Sequence, residues 1–388
     1  MVLLAGRIEQ WPYRCDNSML KRKTGATNRV ITVARRQQAD LHRNGIRHGP
    51  HVSGPHYTSP AISALYLPLG AARDYLTRHP GQVLGVVCHG LGEPPGAPFI
   101  APDIPLVEVA MPQLGENALL EIWSADAAVT TGRSGNISWA RTADYLFGSY
   151  RQPAHESALE AGTLHAYREV FALLEAQGIP NLLRIWNYFA AINADEDDGL
   201  ERYQHFCIGR HDAFAQYGRL NAQDIPAASA VGSRGGEFVL YFLAATQGGR
   251  ALENDRQVSA YDYPPQYGPR SPLFSRATQL SWLKDPQLFI SGTASIVGHA
   301  SICLDDATQQ TAETLKNIGR LLGLAFPRGE DFSLLRALKV YIRHERDFPA
   351  IQAVIENTLG RDIPCLYLLA DICRSELLLE IEAIAGAS

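Results

Sequence analysis

The stretch ALEAGTLHAYREVFALLEAQGIPNLLRIWNY, residues 158–188, decides how the rest of the chain is read. Leu164, Tyr167, Val170, Phe171 and Leu174 recur at the spacing of an apolar helix stripe, which predicts a helix over Ala158–Gln177. Gly178 followed by Pro180 is a helix stop, and Leu182–Tyr188 then reads as a strand. Downstream, Tyr203, Phe206, Cys207, His211 and Phe214 predict a second helix over Gly199–Tyr217, followed by strands at Ala227–Val231 and Phe238–Ala244. The same order of helix, strand, helix, strand, strand returns in Gln309–Leu322, Leu338–Arg343, Pro349–Leu359, Cys365–Ile372 and Glu376–Ile384. Pro349 in a first helical turn and Gly360 after the last support the second copy. Helices and strands alternate in many proteins, but a matched order of five elements favours an internal duplication. The expected class is α+β (α/β mixed), with helices covering one face of mixed sheets.

This pattern divides the chain into a basic tail or extension (1–58), an N-terminal α/β region (59–150), a first repeat unit (151–304) and a second (305–388). The tail carries Arg7, Arg14, Lys21, Arg22, Lys23, Arg29, Arg35, Arg36, Arg43 and Arg47 against Glu9, Asp16 and Asp40. Its histidines, His42, His48, His51 and His56, read as solvated residues rather than a metal tract. Residues 246–288 interrupt the repeat with Tyr261, Tyr263, Tyr267, Phe274 and Trp282 among prolines and glycines. Disordered loops are poor in aromatics, so this segment is expected to be ordered and functional.

With 388 residues, 46% hydrophobic content and a net charge of -5, the chain has enough apolar surface for a full core and little reason to bind nucleic acid. No run of about 18 apolar residues suggests a membrane span. The six cysteines form no C-x-x-C pair, which reads as free thiols in a reducing, cytoplasmic setting. No thiolate zinc site, iron-binding set of two histidines and a carboxylate, Walker loop, dinucleotide fingerprint or nucleophile elbow is present, so no metal is expected. Asp195-Glu196-Asp197-Asp198 reads as a solvated loop, and Asp305-Asp306 as a helix cap.

The closing segment Glu376-Leu377-Leu378-Leu379-Glu380-Ile381-Glu382 carries the candidate chemistry. Alternation along a strand puts Leu378, Glu380 and Glu382 on one face and Leu377, Leu379 and Ile381 on the other. That face is either solvated or lines a cleft, where apolar neighbours and a like charge would raise one carboxyl into the range of a general acid. Arg202, Arg210, Arg256, Arg276 and Arg374 supply guanidinium groups suited to a small substrate with two carboxylates.

Several segments together resemble the chorismatase family: Leu183–Tyr188 with Ile192-Asn193; Arg202-Tyr203, Phe206–Arg210 and Ala213-Phe214; Pro226–Gly232; Glu253–Tyr261, Tyr263-Pro264, Tyr267–Pro269 and Phe274–Ala277; Ile290–His299; and Cys373-Arg374 with Leu377–Glu382. The resemblance spans about residues 60–384. It implies RidA/YjgF-like (chorismate-mutase-like) units fused in one chain, chorismate as substrate, no cofactor, and a monomer or small homo-oligomer without nucleic-acid or membrane partners. It assigns protonation of the enolpyruvyl methylene to Glu380, with Glu382 as second candidate. Gly292 and Cys373 match the hydroxybenzoate-forming branch, whereas both positions tend to be Ala in the branch that hydrolyses chorismate to a diene. The expected substrate contacts are Arg210, Arg256, Tyr261, Tyr267, Arg276, Arg374 and Glu382. Asp255 departs from an expected Pro. The competing readings are a RidA-like deaminase, a non-catalytic small-molecule sensor and an iron- or pterin-dependent oxygenase.

Overall fold

The computed structural model describes residues 62–90, 100–116, 118–153 and 158–386; the basic segment 1–58 and its histidines lie outside the described residues. The first sheet is built from β1 (Ile62–Pro68), β2 (Val83–Gly90), β3 (Leu106–Ala110) and β5 (Leu119–Ala125), with helix α1 (Leu69–Arg78) after β1; β4 (Gln113–Leu114) leaves to join the third sheet. The second sheet holds β6 (Thr130–Ser134), β7 (Ile137–Arg141), β8 (Tyr145–Pro153), β9 (Asn181–Ala190), β10 (Ala227–Ser233) and β11 (Glu237–Ala245). Its helices are α2 (Leu159–Gln177) and α3 (Arg202–Gln216). The third sheet holds β12 (Arg250–Leu252), β13 (Ala277–Leu280), β14 (Gln287–Thr293), β17 (Leu335–Ile342), β18 (Cys365–Leu369) and β19 (Leu379–Gly386). A small hairpin of β15 (Ile296–Val297) and β16 (Ala300–Ser301) precedes its helices, α4 (Ala307–Ala325) and α5 (Phe348–Leu359).

The duplication is visible in the strand order. The second sheet runs β10-β9-β11-β8-β7-β6 and the third runs β18-β17-β19-β14-β13-β12, with β4 added beside β18. Corresponding strands occupy corresponding places, and each sheet has one parallel pair, β9 with β10 and β17 with β18. The first sheet, β3-β2-β5-β1, repeats the β10-β9-β11-β8 part of the pattern with its own parallel pair, β2 with β3. The chain is therefore an α+β protein of repeated mixed sheets. Each complete sheet takes in three strands ahead of its first helix, β6–β8 and β12–β14, upstream of where the helical periodicity places the repeat. The segment 246–288 is thus partly strand: β12, β13 and the start of β14 are too short and too polar to show a period of two.

Amphipathic burial explains the layers. On the second sheet, Leu146, Tyr150, Ile185, Phe189, Leu240 and Phe242 pack with Tyr167, Val170, Phe171, Leu174 and Phe214 of α2 and α3. Gly178 closes α2 with a left-handed φ of 65°, the conformation that favours glycine there. The opposite face sends Phe147, Trp186, Tyr188 and Tyr241 into a shared core with Trp123 of the first sheet and Phe289 and Tyr341 of the third. Helix α4 is capped by Asp306, which accepts from the Gln309 N–H at 2.9 Å, as expected of the Asp305-Asp306 pair. Cys88, Cys207, Cys365 and Cys373 are free, as expected of them, and Cys15 lies outside the described residues.

Among these aromatic side chains lies a buried ammonium. Lys339 of β17 is 2.8 Å from Glu121 of the first sheet and 3.1 Å from Glu382 of the third, and donates to Tyr241 Oη of the second at 2.8 Å. Burial pulls its pKa down, but Glu121 and Glu382 push it up by more, so it stays charged. Removing one member of a buried ion group leaves the others uncompensated. Lys339→Met is expected to lower the unfolding free energy by about 3–5 kcal/mol. Urea denaturation followed by circular dichroism measures this; an unchanged midpoint would show that the three sheets do not depend on this contact.

Candidate active site

The two acids of the closing strand face the centre of the molecule. In the β17–β19 register Glu380 lies opposite Tyr341 and Glu382 opposite Lys339, so both side chains share the inner face. They are 5% and 4% exposed, which rules out a solvated sheet face. The strand starts at Leu379, not at Glu376, because residues 373–378 turn away before it. Leu378 therefore does not flank Glu380 on the strand; its N–H donates to Gln310 Oε1 at 2.8 Å, and Leu377 joins the core instead.

Glu382 is enclosed by donors. Its Oε2 accepts from Arg184 Nη2, Ser229 Oγ and Tyr341 Oη at 2.7, 2.7 and 3.1 Å. Its Oε1 accepts from Trp186 Nε1 at 2.7 Å and lies 3.1 Å from Lys339 Nζ. Burial alone would push this carboxyl up, but Lys339, Arg184 and the Ser229 and Trp186 hydrogen bonds hold it below its usual value. Glu382 is thus a fixed anion within the core, and it does not line the cavity described next.

Glu380 opens onto that cavity, of about 200 Å³, between the second and third sheets. Burial first, and the Glu382 charge second, push its pKa up to about 8; Arg184 and Arg276 offset only part of this. The carboxyl is therefore protonated at neutral pH. Gly292 makes room for it: a Cβ there would sit 1.8 Å from Glu380 Oε1. Gly292 lies where the β14–β19 pairing shifts register between Ile290 and Thr293, an irregularity that re-aims the backbone, and its N–H donates to Ser229 Oγ at 3.1 Å. Cys373 also lines the cavity; burial and the nearby Glu380 raise its thiol to about 12, so it stays protonated.

Three guanidinium groups complete the lining. Arg210 of α3 is 3% exposed, lies 5.2 Å over the Tyr167 ring, and has no hydrogen-bond partner at Nε or Nη2 among the described residues. Arg276 donates through Nη2 to Val258 O and Tyr263 Oη at 2.7 and 2.9 Å. Arg374 stacks on Tyr267 at 4.0 Å and Tyr263 at 5.1 Å and donates through Nη1 to His299 O at 2.9 Å, leaving Nη2 without a partner among the described residues. Such a cavity suits a small anion carrying more than one carboxylate, placed beside a carboxylic acid able to give up a proton.

The structure therefore brings Glu380, Cys373, Gly292, Arg210, Tyr267, Arg276 and Arg374 together. Arg256, Tyr261 and Glu382 do not line the cavity. Arg256 is held by Glu313 and Asn317 of α4, and Tyr261 packs beside the core under α2 and α3. Arg202 is turned to Glu196 and Ala190 O, and Asp198 pairs with His205, so the acidic loop is ion-paired rather than merely solvated. Asp255 pairs with Arg320, away from the cavity. Ser229, Tyr263, Arg184, Lys339 and Glu121 were not singled out for roles from the sequence. The signal for the last three is a lone charge within an apolar strand, as in Leu119-Leu120-Glu121-Ile122-Trp123.

Over most of its length the chain is similar to known proteins. Residues 121–244 match the family described as chorismatase FkbO/Hyg5-like, N-terminal. A chorismatase of Streptomyces rapamycinicus is 37% identical over 313 residues, covering 78% of this chain and 92% of the relative. A 3-hydroxybenzoate synthase of Streptomyces hygroscopicus is 39% identical over 298 residues, covering 74% and 87%. A crystal structure of a chorismatase superposes with a TM-score of 0.74 at 33% identity, covering 85% of this chain and 99% of its own. The chain belongs to the chorismatase family.

Replacing Arg374 by Met, or Arg210 by Gln, is expected to weaken binding of a small aromatic dicarboxylate by about ten- to a hundredfold, the worth of one charge-assisted contact. Isothermal titration calorimetry would measure this; unchanged affinity in both variants would remove these groups from the anion site.

Proposed function

We propose that this chain cleaves chorismate to pyruvate and 3-hydroxybenzoate without a cofactor. The observation that carries the reading is the protonated Glu380 carboxyl facing a cavity lined by Arg210, Arg276 and Arg374. Glu380 gives its proton to the terminal methylene of the enolpyruvyl ether, which becomes the methyl group of pyruvate. The ether carbon becomes an oxocarbenium centre. In the hydroxybenzoate route the neighbouring ring hydroxyl attacks the ring carbon that bears the activated ether, that carbon–oxygen bond breaks to release pyruvate, and the epoxide formed regains the hydroxyl proton when it opens. In the hydrolytic route water adds to the oxocarbenium carbon and the hemiketal breaks on that side, leaving the ether oxygen on the ring as a hydroxyl. In the hydroxybenzoate route no water is consumed overall. The ring gives up a proton on aromatising, which restores Glu380. Holding both halves of one substrate by their carboxylates makes this largely a matter of positioning.

The product assignment is supported by Gly292 and Cys373. Gly292 lets the Glu380 carboxyl lie where a β-carbon would exclude it. Cys373 places a neutral thiol in the same cavity. Both match the hydroxybenzoate-forming branch, and one relative carries the name 3-hydroxybenzoate synthase. The second route, hydrolysis to a dihydroxycyclohexadiene acid, consumes one water. A mixed product including 4-hydroxybenzoate is the outcome if ring opening is not directed to one side.

Incubation of the protein with chorismate in the presence of a chelator should release pyruvate and 3-hydroxybenzoate in equal amounts. Glu380→Gln should reduce kcat by about 10²–10⁴-fold, the worth of a general acid, while ligand binding persists. Because the acid form is the active one and its pKa lies near 8, kcat/KM should be level around neutrality and fall about tenfold per pH unit above 8. A Glu380→Gln variant with full turnover would exclude the mechanism. Gly292→Ala, alone and with Cys373→Ala, should shift the products toward the diene, as read by chromatography; an unchanged ratio would contradict the product assignment.

A further inference from the structure

The residues that end the cavity at Cys373–Leu377 belong to no strand or helix, yet they carry a thiol and a guanidinium that must be placed accurately. What holds them is a residue outside the cavity. Arg343 follows the end of β17 with its side chain 10% exposed. Its Nε donates to Leu377 O at 2.8 Å, and its Nη2 donates to Ile372 O and Arg374 O, both at 2.9 Å. Its Nη1 reaches Asp371 Oδ1 and its Nη2 also reaches Asn193 Oδ1, each at 3.2 Å. The Arg343 backbone N–H donates to Leu378 O at 2.9 Å. One planar guanidinium thus satisfies three carbonyls of a single turn, on either side of Cys373 and Arg374. A second strap comes from α4, where Gln310 Nε2 donates to Glu376 O at 3.0 Å and Gln310 Oε1 accepts from Leu378 N–H at 2.8 Å.

We propose that Arg343 is a positioning residue that clamps the turn 371–378 and thereby sets where Cys373 and Arg374 stand relative to Glu380. Its effect on turnover rests on the function proposed above; its hold on the turn does not. The fork geometry is essential. A lysine has one nitrogen on a flexible stem and cannot reach three carbonyls at fixed angles, so Arg343→Lys keeps the charge and loses the clamp. A turn shifted by about 1 Å is enough to cost about 10²-fold in a reaction that depends on alignment.

The test uses the full chain carrying Arg343→Lys, with two independent readouts. Iodoacetamide labelling followed by mass spectrometry gives the alkylation rate of Cys373 against Cys88 and Cys207 in the same molecules. The expected result is about a tenfold faster reaction at Cys373 alone. With chorismate, KM should rise and the product ratio should change, whereas a residue serving stability only would lower the urea midpoint and leave both in place. Unchanged Cys373 labelling, KM and product ratio would overturn the proposal, as would an equal rise in labelling at Cys88 and Cys207. If the lysine variant does not fold, the double variant Asn193→Ala, Asp371→Ala removes only the two side-chain acceptors and should show the same changes in smaller measure; labelling and products like wild type there would likewise overturn it. Wild-type protein that releases no pyruvate from chorismate would defeat the functional reading, while the labelling comparison would still decide the clamp.

Discussion

A single buried ammonium ties the three sheets of this protein together. Lys339 contacts Glu121, Tyr241 and Glu382, which come from the first, second and third sheets in turn. Aromatic side chains from all three sheets fill the space around it, so the contact is shielded from water. In such surroundings a charge is tolerated only with partners. That requirement fixes how the sheets meet, and therefore the shape of the cleft where the second and third sheets approach each other.

The same arrangement divides the labour between two carboxylates on one strand. Glu382 is surrounded by Lys339, Arg184, Trp186, Ser229 and Tyr341 and stays ionised. Glu380, two residues earlier, is buried without a comparable set of donors among the described residues and feels the Glu382 charge, so it stays protonated. Pairs of acids driven apart by environment are how one site provides a proton donor beside a fixed negative charge. Ser229 links the two: it donates to Glu382 and accepts from the N–H of Gly292, the residue whose missing side chain makes room for Glu380. Fold and chemistry thus share the same few atoms.

Much of this was legible in the sequence. The helical stripe of residues 164–174 and its later echo carried the repeat, because apolar periodicity in long helices is a strong signal. Alternation along Glu376–Glu382 placed Glu380 and Glu382 on one face, and family resemblance chose Glu380 as the acid. Of the strands ahead of the first helix of each complete sheet, the shortest, such as Arg250–Leu252, leave no room for a period to appear. Arg256 was misplaced for a different reason: a guanidinium in an aromatic loop looks the same in sequence whether it faces a cavity or, as here, Glu313 on a neighbouring helix. The cage around Glu382 is built from residues far apart in the chain, and only the register of the strands brings them together.

The central claim is that Glu380 is a neutral acid beside an ionised Glu382. It is tested most directly by ¹³C NMR of protein labelled at the glutamate side-chain carboxyl, with the two signals assigned through Glu380→Gln and Glu382→Gln. The account predicts that the Glu380 carbon titrates near pH 8 while the Glu382 carbon remains in its ionised position throughout the neutral range. A Glu380 signal already ionised at pH 6 would contradict it.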